Sequence, residues 1–303
     1  MEQRLIPNTN FQVSILCLGT MTFGNPVTET DAIHLTHAAL ERGINFIDTA
    51  NIYEGYSRYI GSAGGVAEEI LGKALVGKRN KVILATKVGM KVGQKADDQG
   101  LSRKHILREI DRSLNRLKTD YVDLYYLHKP DPDVTLEETI QTMVDLIQAG
   151  KIKEWAVSNY STDQIKEILD ICDKYNFRRP VAVQPPYSLL KRDVEQDLLP
   201  FCEKQGIAVI PYQVLQGGLL TGKYKRNQET PIGSRLIEKP EWILAPSDEL
   251  FNLLEKYEAE ASHLGRSLME HALKSLLENK IVVSLIVGVK NLPQLESLIA
   301  GVS

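Results

Sequence analysis

The chain has 303 residues, is 43% hydrophobic and 25% charged, and carries a formal net charge of -3. That balance is ordinary for a globular protein, and the charge argues against a general nucleic-acid binder or an anionic-membrane binder, which are usually basic. Cys17, Cys172 and Cys202 are odd in number and widely separated, which argues against a disulfide framework or a paired-cysteine zinc site and fits a reducing, cytoplasmic setting.

Short apolar runs alternate with helical spacing along the chain. The pattern predicts a strand over 15–19, a helix over 32–41 capped by Thr30 or Asp31, and a second strand over 45–49. A glycine-rich loop leads to a helix over 67–75. A third strand over 82–87 precedes a helix over 102–117 opened by Ser102, and a fourth strand spans 122–128. Further helix and strand pairs follow at 136–149 and 152–158, 162–173 and 181–184, and 197–205 and 208–212. Residues 213–247 break the rhythm as a long excursion rich in Gly, Pro and polar residues. Helices over 248–263 and 267–277, a strand over 281–287 and a helix over 292–300 resume it. No apolar run approaches membrane-spanning length, and no signal peptide is expected.

Apolar strands alternating with helices imply parallel pairing, because a parallel connection needs a crossover. Eight such units in a chain of this length predict one domain over 1–303, a closed (β/α)8 barrel, with residues 4–13 as a hairpin capping its bottom. A doubly wound open sheet is the alternative, but no G-x-G-x-x-G follows the first strand.

In a barrel, the C-terminal tips of the strands share one face. Those tips are Asp48, Lys87, His128, Ser158 with Asn159, Gln184 and Tyr212, and Tyr53 follows five residues after Asp48. Singly, each has a dull reading, such as a capping Asp, a surface Tyr or a solvated Lys. Together, Asp48, Tyr53, Lys87 and His128 suit proton transfer. A phenol of pKa near ~10 is a poor acid at neutral pH, and a neighbouring ammonium lowers it. Lys87 is placed to do so, Asp48 to keep Lys87 charged, and His128 to donate to a carbonyl oxygen. No metal-ligand cluster, serine or cysteine nucleophile stands out, so the hydride for such a reduction would come from a cofactor. A Schiff-base role for Lys87 is weakened by Asp48, which holds the amine protonated.

These residues carry a resemblance. The segments 18–24, 46–50 with Tyr53, Thr86-Lys87, 123–128, 150–152, 157–160 and 219–223 occur in order, and the sequence resembles the aldo-keto reductase family. The resemblance implies a barrel that reduces aldehydes or ketones with NADPH, with Asp48, Tyr53, Lys87 and His128 as the catalytic tetrad. It implies that Ser158, Asn159 and Gln184 hold the nicotinamide carboxamide and that Tyr212 stacks on its ring. It further assigns Gly19, Thr20, Met21, Leu215, Gly217, Leu219, Lys223, Gly288, Lys290 and Gln294 to cofactor binding. Residues 217–223 nearly spell a P-loop, but Tyr224 replaces the magnesium-binding Ser or Thr and no clear helix opens there, so a nucleotide hydrolase is rejected. Potassium-channel β subunits share the fold and the tetrad, so a cofactor-binding regulatory subunit is the second reading.

Two departures mark this chain. Leu298 stands where the family commonly has Asn and Ser297 where it has Glu, which leaves NADH open beside NADPH. Residues 54–65 form a longer turn after Tyr53 than the family usually has. Either they wall the substrate pocket, with Tyr56, Tyr59 or Arg58 facing it, or they are a surface loop. Met21, Phe23, Met90 and Trp242 are the candidates for its apolar lining.

Overall fold

The computed structural model describes residues 1–303. An antiparallel hairpin of β1 (Gln3–Leu5) and β2 (Gln12–Ser14) opens the chain, with Arg4 opposite Val13. The alternation begins with β3 (Leu16–Gly19), α1 (Glu29–Glu41), β4 (Phe46–Asp48), α2 (Val66–Ala74), β5 (Ile83–Val88) and α3 (Arg103–Leu117). It continues through β6 (Val122–Leu127), α4 (Leu136–Gln148), β7 (Ile152–Ser158), α5 (Thr162–Tyr175), β8 (Ala182–Gln184), α6 (Leu198–Gln205) and β9 (Ala208–Val209). The excursion after β9 contains the short α7 (Arg235–Glu238), and α8 (Asp248–His263), α9 (Leu268–Leu277), β10 (Leu285–Gly288) and α10 (Leu292–Ala300) complete the chain.

β3 to β9 pair in sequence order, all parallel, and β10 pairs with β3. The remaining seam is closed by Val209 N–H donating to Ile281 O at 2.8 Å and Val283 N–H donating to Val209 O at 3.1 Å. The expected strand over 281–287 therefore divides its work. Its first residues bridge to β9, and the regular ladder with β3 starts only at Leu285. The helix α1 starts earlier than predicted, because the Thr28 hydroxyl, and neither Thr30 nor Asp31, caps it by accepting from Asp31 N–H at 3.2 Å. Ser102 caps α3 as the pattern predicts.

Side chains alternate across each strand. On β5, Leu84 and Val88 face the helical layer, whereas Ala85 packs with Phe46, Leu124, Tyr126, Ala156, Ala182 and Ala208 inside the barrel. Ile6 and Val13 of the hairpin join that interior group and are fully buried, so the hairpin does plug the lower end. Two residues beyond Phe46, Ala85 and Ala182 on the same inward face come Asp48, Lys87 and Gln184. On these three strands the interior thus turns from apolar to polar or charged within one pleat. At the mouth, strand spacing is tight. A Cβ on Gly19 would stand 2.8 Å from Ile286 Cγ2.

Candidate active site

Lys87 is fully buried and Asp48 is 2% exposed. Buried charges require partners, and these two find each other. Lys87 Nζ donates to Asp48 Oδ1 at 2.5 Å, to Thr49 O at 2.9 Å and to Tyr53 Oη at 3.3 Å. The other carboxylate oxygen, Asp48 Oδ2, accepts from Gln184 Nε2 at 3.0 Å. His128 follows β6, and its ring meets the Tyr53 ring edge-on, with centroids 6.2 Å apart. The four predicted ionisable groups therefore do converge.

Their electrostatics differ in one respect from expectation. Burial raises the Tyr53 phenol above its ordinary value, Lys87 pulls it back down, and Asp48 adds to the rise. Lys87 acts in the expected direction, but it moderates a phenol that burial holds up and does not bring it below its usual range. Burial also opposes the Lys87 ammonium, but the Asp48 carboxylate and Tyr53 outweigh it, so Lys87 is held above its ordinary value. His128 is pushed well below its usual range by burial, then by Lys87 and Lys129, and is neutral at physiological pH. Its Nδ1 is buried without a partner. A neutral imidazole, a protonated phenol and a fixed ammonium at one point can donate a proton and a hydrogen bond to a carbonyl oxygen.

A cavity of about 740 Å³ opens over these groups. Gly19, Thr20, Met21, Ser158, Asn159, Gln184, Tyr212, Leu215, Gly217, Lys223, Gly288, Lys290 and Gln294, the residues expected to hold a cofactor, all line it. Near the tetrad, Asn159 adopts a left-handed backbone at φ 64. Its Nδ2 donates to His128 O at 2.9 Å and its Oδ1 accepts from Tyr212 Oη at 2.8 Å. This braced set of amides, hydroxyls and an aromatic ring has the donors and acceptors that a carboxamide on a planar ring requires. At the other end stand Lys223, Arg235 and Lys290. Burial, then Lys290 and Arg235, push Lys223 below its ordinary value, opposed by Glu238. Glu238 also pairs with Lys290, whose Nζ donates to Gly233 O at 2.8 Å. Mutually repelling cations in a cleft fit a phosphate-bearing ligand, so the two ends together fit a nicotinamide dinucleotide.

Leu219 does not line this cavity. It is 2% exposed and packs with Leu189, Leu220, Leu250 and Leu254 beneath the excursion, because its turn directs it toward α8 and α9. Phe23 is likewise buried in the core. Residues 54–65 are ordered by internal bonds. Arg58 Nη1 donates to Ser62 O at 3.1 Å and lies 3.6 Å from Glu54. Arg58, Met90 and Trp242 line the cavity. Tyr56 does not, but its ring packs edge-on against Trp242 at 5.6 Å and so braces that wall. Tyr59 is 63% exposed and turned to solvent. Glu54 lines the cavity as part of the 54–65 segment, and Ile52 and Arg235 line it although the sequence pattern does not single them out. Ile52 directly precedes Tyr53, which is a usable signal; Arg235 sits in an aperiodic excursion that offers none.

A family model described as "Aldo/keto reductase family" matches residues 15–302. The protein "Aldo-keto reductase YhdN" of Bacillus subtilis (strain 168) is 39% identical over 230 residues, which span 74% of this chain and 65% of that protein. A "Probable voltage-gated potassium channel subunit beta" of Oryza sativa subsp. japonica is 34% identical, covering 95% of this chain and 87% of its own length. Among solved structures, the glycerol dehydrogenase AKR11B4 from Gluconobacter oxydans superposes with a TM-score of 0.82 at 29% identity, over 100% of this chain and 90% of that one. No helix is long and apolar enough to cross a membrane.

Proposed function

The chain belongs to the aldo/keto reductase family of oxidoreductases, and from that premise we propose that it reduces the carbonyl of small aldehydes or ketones to alcohols, with NADPH as cofactor and NADH also accepted. The observation that carries this is Lys87 Nζ standing between Asp48 Oδ1 at 2.5 Å and Tyr53 Oη at 3.3 Å. A nicotinamide cofactor, when bound there, would supply the hydride that reduces the carbonyl carbon. Tyr53 gives its proton to the carbonyl oxygen, and the Lys87 ammonium stabilises the phenolate left behind. Asp48 keeps Lys87 charged and in place. Neutral His128 donates a hydrogen bond to the same oxygen as negative charge develops there. Ser158, Asn159 and Gln184 would hold the carboxamide, Tyr212 would pack against the nicotinamide, and Lys223, Arg235 and Lys290 would take the phosphates. Met90, Trp242 and Arg58 wall the substrate side. Fluorescence titration with NADPH and NADH, then a carbonyl panel followed by loss of reduced-cofactor absorbance, tests this. Saturable binding with turnover of at least one carbonyl is expected, and absence of binding defeats the proposal.

A second reading, a cofactor-binding regulatory subunit, draws on the likeness to the Oryza protein. Tight cofactor binding with negligible turnover, together with a stable partner protein in a pull-down, would favour it.

A further inference from the structure

Behind the barrel wall lies a second group of buried charges that the mechanism above does not use. Glu68 of α2 is 0% exposed and Glu109 of α3 is 1% exposed. Carboxylates buried this deeply persist only with partners. Glu68 accepts from Thr86 Oγ1 at 2.5 Å and from Arg116 Nε at 2.7 Å. Glu109 Oε2 accepts from Asn51 Nδ2 at 3.2 Å, while its Oε1 accepts from Arg112 Nη1 at 2.9 Å. Each carboxylate thus links an arginine to a polar side chain beside the tetrad. Thr86 precedes Lys87, and Asn51 lies two residues before Tyr53.

The Asn51 link matters more, because Tyr53 is not on a strand. Strand pairing fixes Asp48 and Lys87, but the distance from Tyr53 to Lys87 depends on the loop after β4. Backbone bonds hold that loop in part. Asn51 N–H donates to Lys87 O at 3.3 Å, and Ala67 N–H donates to Tyr53 O at 3.0 Å. Gly64, at φ +66, presses on it so closely that a Cβ would stand 2.3 Å from Asn51 O. Of the side chains from Thr49 to Ile52, that of Asn51 alone makes a hydrogen bond, to Glu109. Thr49 Oγ1 and Asn51 Oδ1 are buried without partners, so apart from the Lys87 bond to Thr49 O this is the side-chain anchor of the turn, and the one made by the turn's own side chains. Its partner is a carboxylate, which only accepts; an aspartate in place of Asn51 would oppose two acceptors.

We infer that Asn51 and Glu109 are positioning residues that set the Tyr53 hydroxyl against Lys87. The inference rests on the reading of Tyr53 as proton donor. Asn51→Ala and Glu109→Ala should each lower kcat by about ten- to a hundredfold, the scale of a small misplacement at a reacting centre. Cofactor Kd should stay within about twofold in both variants, since neither side chain lines the cavity. The phenol, further from Lys87, should lose the influence that lowers its pKa, so the alkaline limb of kcat moves to higher pH. Asn51→Asp alone should fall as far, and the double variant Asn51→Asp with Glu109→Gln, which restores one donor facing one acceptor, should recover most of the loss. Wild-type kcat in Asn51→Ala, or no recovery in the double variant, would overturn the inference. So would a loss of kcat with no movement of the limb and an equal loss of cofactor affinity. Isotope-labelled tyrosine spectra, with the Tyr53 resonance assigned by its disappearance in Tyr53→Phe, provide a readout free of turnover. That resonance should shift in Asn51→Ala and return in the double variant, and an unmoved resonance counts against the inference even if Glu109→Ala does not fold. A wild-type chain that turns over no carbonyl would strike the functional reading alone, because the resonance still decides this point.

Discussion

At the lower end of the barrel, Ile6 and Val13 from the hairpin meet Phe46, Ala85, Ala182 and Ala208 in an apolar group. One pleat higher, the same strands present Asp48, Lys87 and Gln184 on the same inward face, joined by hydrogen bonds. The lower layer gains from every apolar atom removed from water. The upper layer buries charges that contribute no such gain and are tolerated only because each satisfies another. The contrast teaches that this barrel separates stability from chemistry by a two-residue step along one face, and not by separate domains.

That contrast can be broken at either end. The largest effect is expected at the mouth: Tyr53→Phe should reduce kcat by roughly 10²–10⁴-fold, the usual contribution of a positioned proton donor, with cofactor Kd nearly unchanged in a fluorescence titration. Lys87→Met should also be costly in stability. It leaves the Asp48 carboxylate buried with Gln184 alone, and breaking such a pair costs about 3–5 kcal/mol, read from the denaturant midpoint. At the lower end, Phe46→Ala should lose a similar amount, about 3–5 kcal/mol, by creating a cavity. Its cofactor Kd should match the wild type, since no charge moves. If Phe46→Ala instead abolished cofactor binding, the two layers would not be separable. The smallest effect is expected at the rim. Replacing residues 56–60 with a short glycine turn removes the Tyr56 brace on Trp242 and should change relative kcat/KM across a carbonyl panel by a few-fold, about 1 kcal/mol. Identical constants across the panel would return that segment to a surface role.

Much of this was legible in the chain because two periodicities carry it. Alternating apolar runs announced the barrel, and the polar residue ending each run marked the mouth, so Asp48, Lys87, His128 and Gln184 could be named from their places alone. What failed to show depends on direction or on distance along the chain. Leu219 lies in the segment that lines the cavity yet points into the packing of α8 and α9, and a segment pattern does not encode that choice. Tyr59 and Tyr56 look alike in sequence, but only Tyr56 meets Trp242. The Asn51 to Glu109 bond joins residues 58 apart, one of them on a helix whose pattern announced only a helix. The net rise of the Tyr53 phenol was also hidden, because sequence shows neighbours such as Lys87 but not the burial that outweighs them.

The pH profile of carbonyl reduction in the wild type and in Tyr53→Phe tests the central claim most directly. The proton donor must be protonated, so activity is retained below the Tyr53 pKa and lost as pH rises through it. With the phenol held above its ordinary value and His128 well below its own, kcat should be level through neutrality, show no step near the usual histidine range, and fall only on a strongly alkaline limb. The residual rate of Tyr53→Phe should lack that limb. Full activity in Tyr53→Phe with the same alkaline limb would contradict the account.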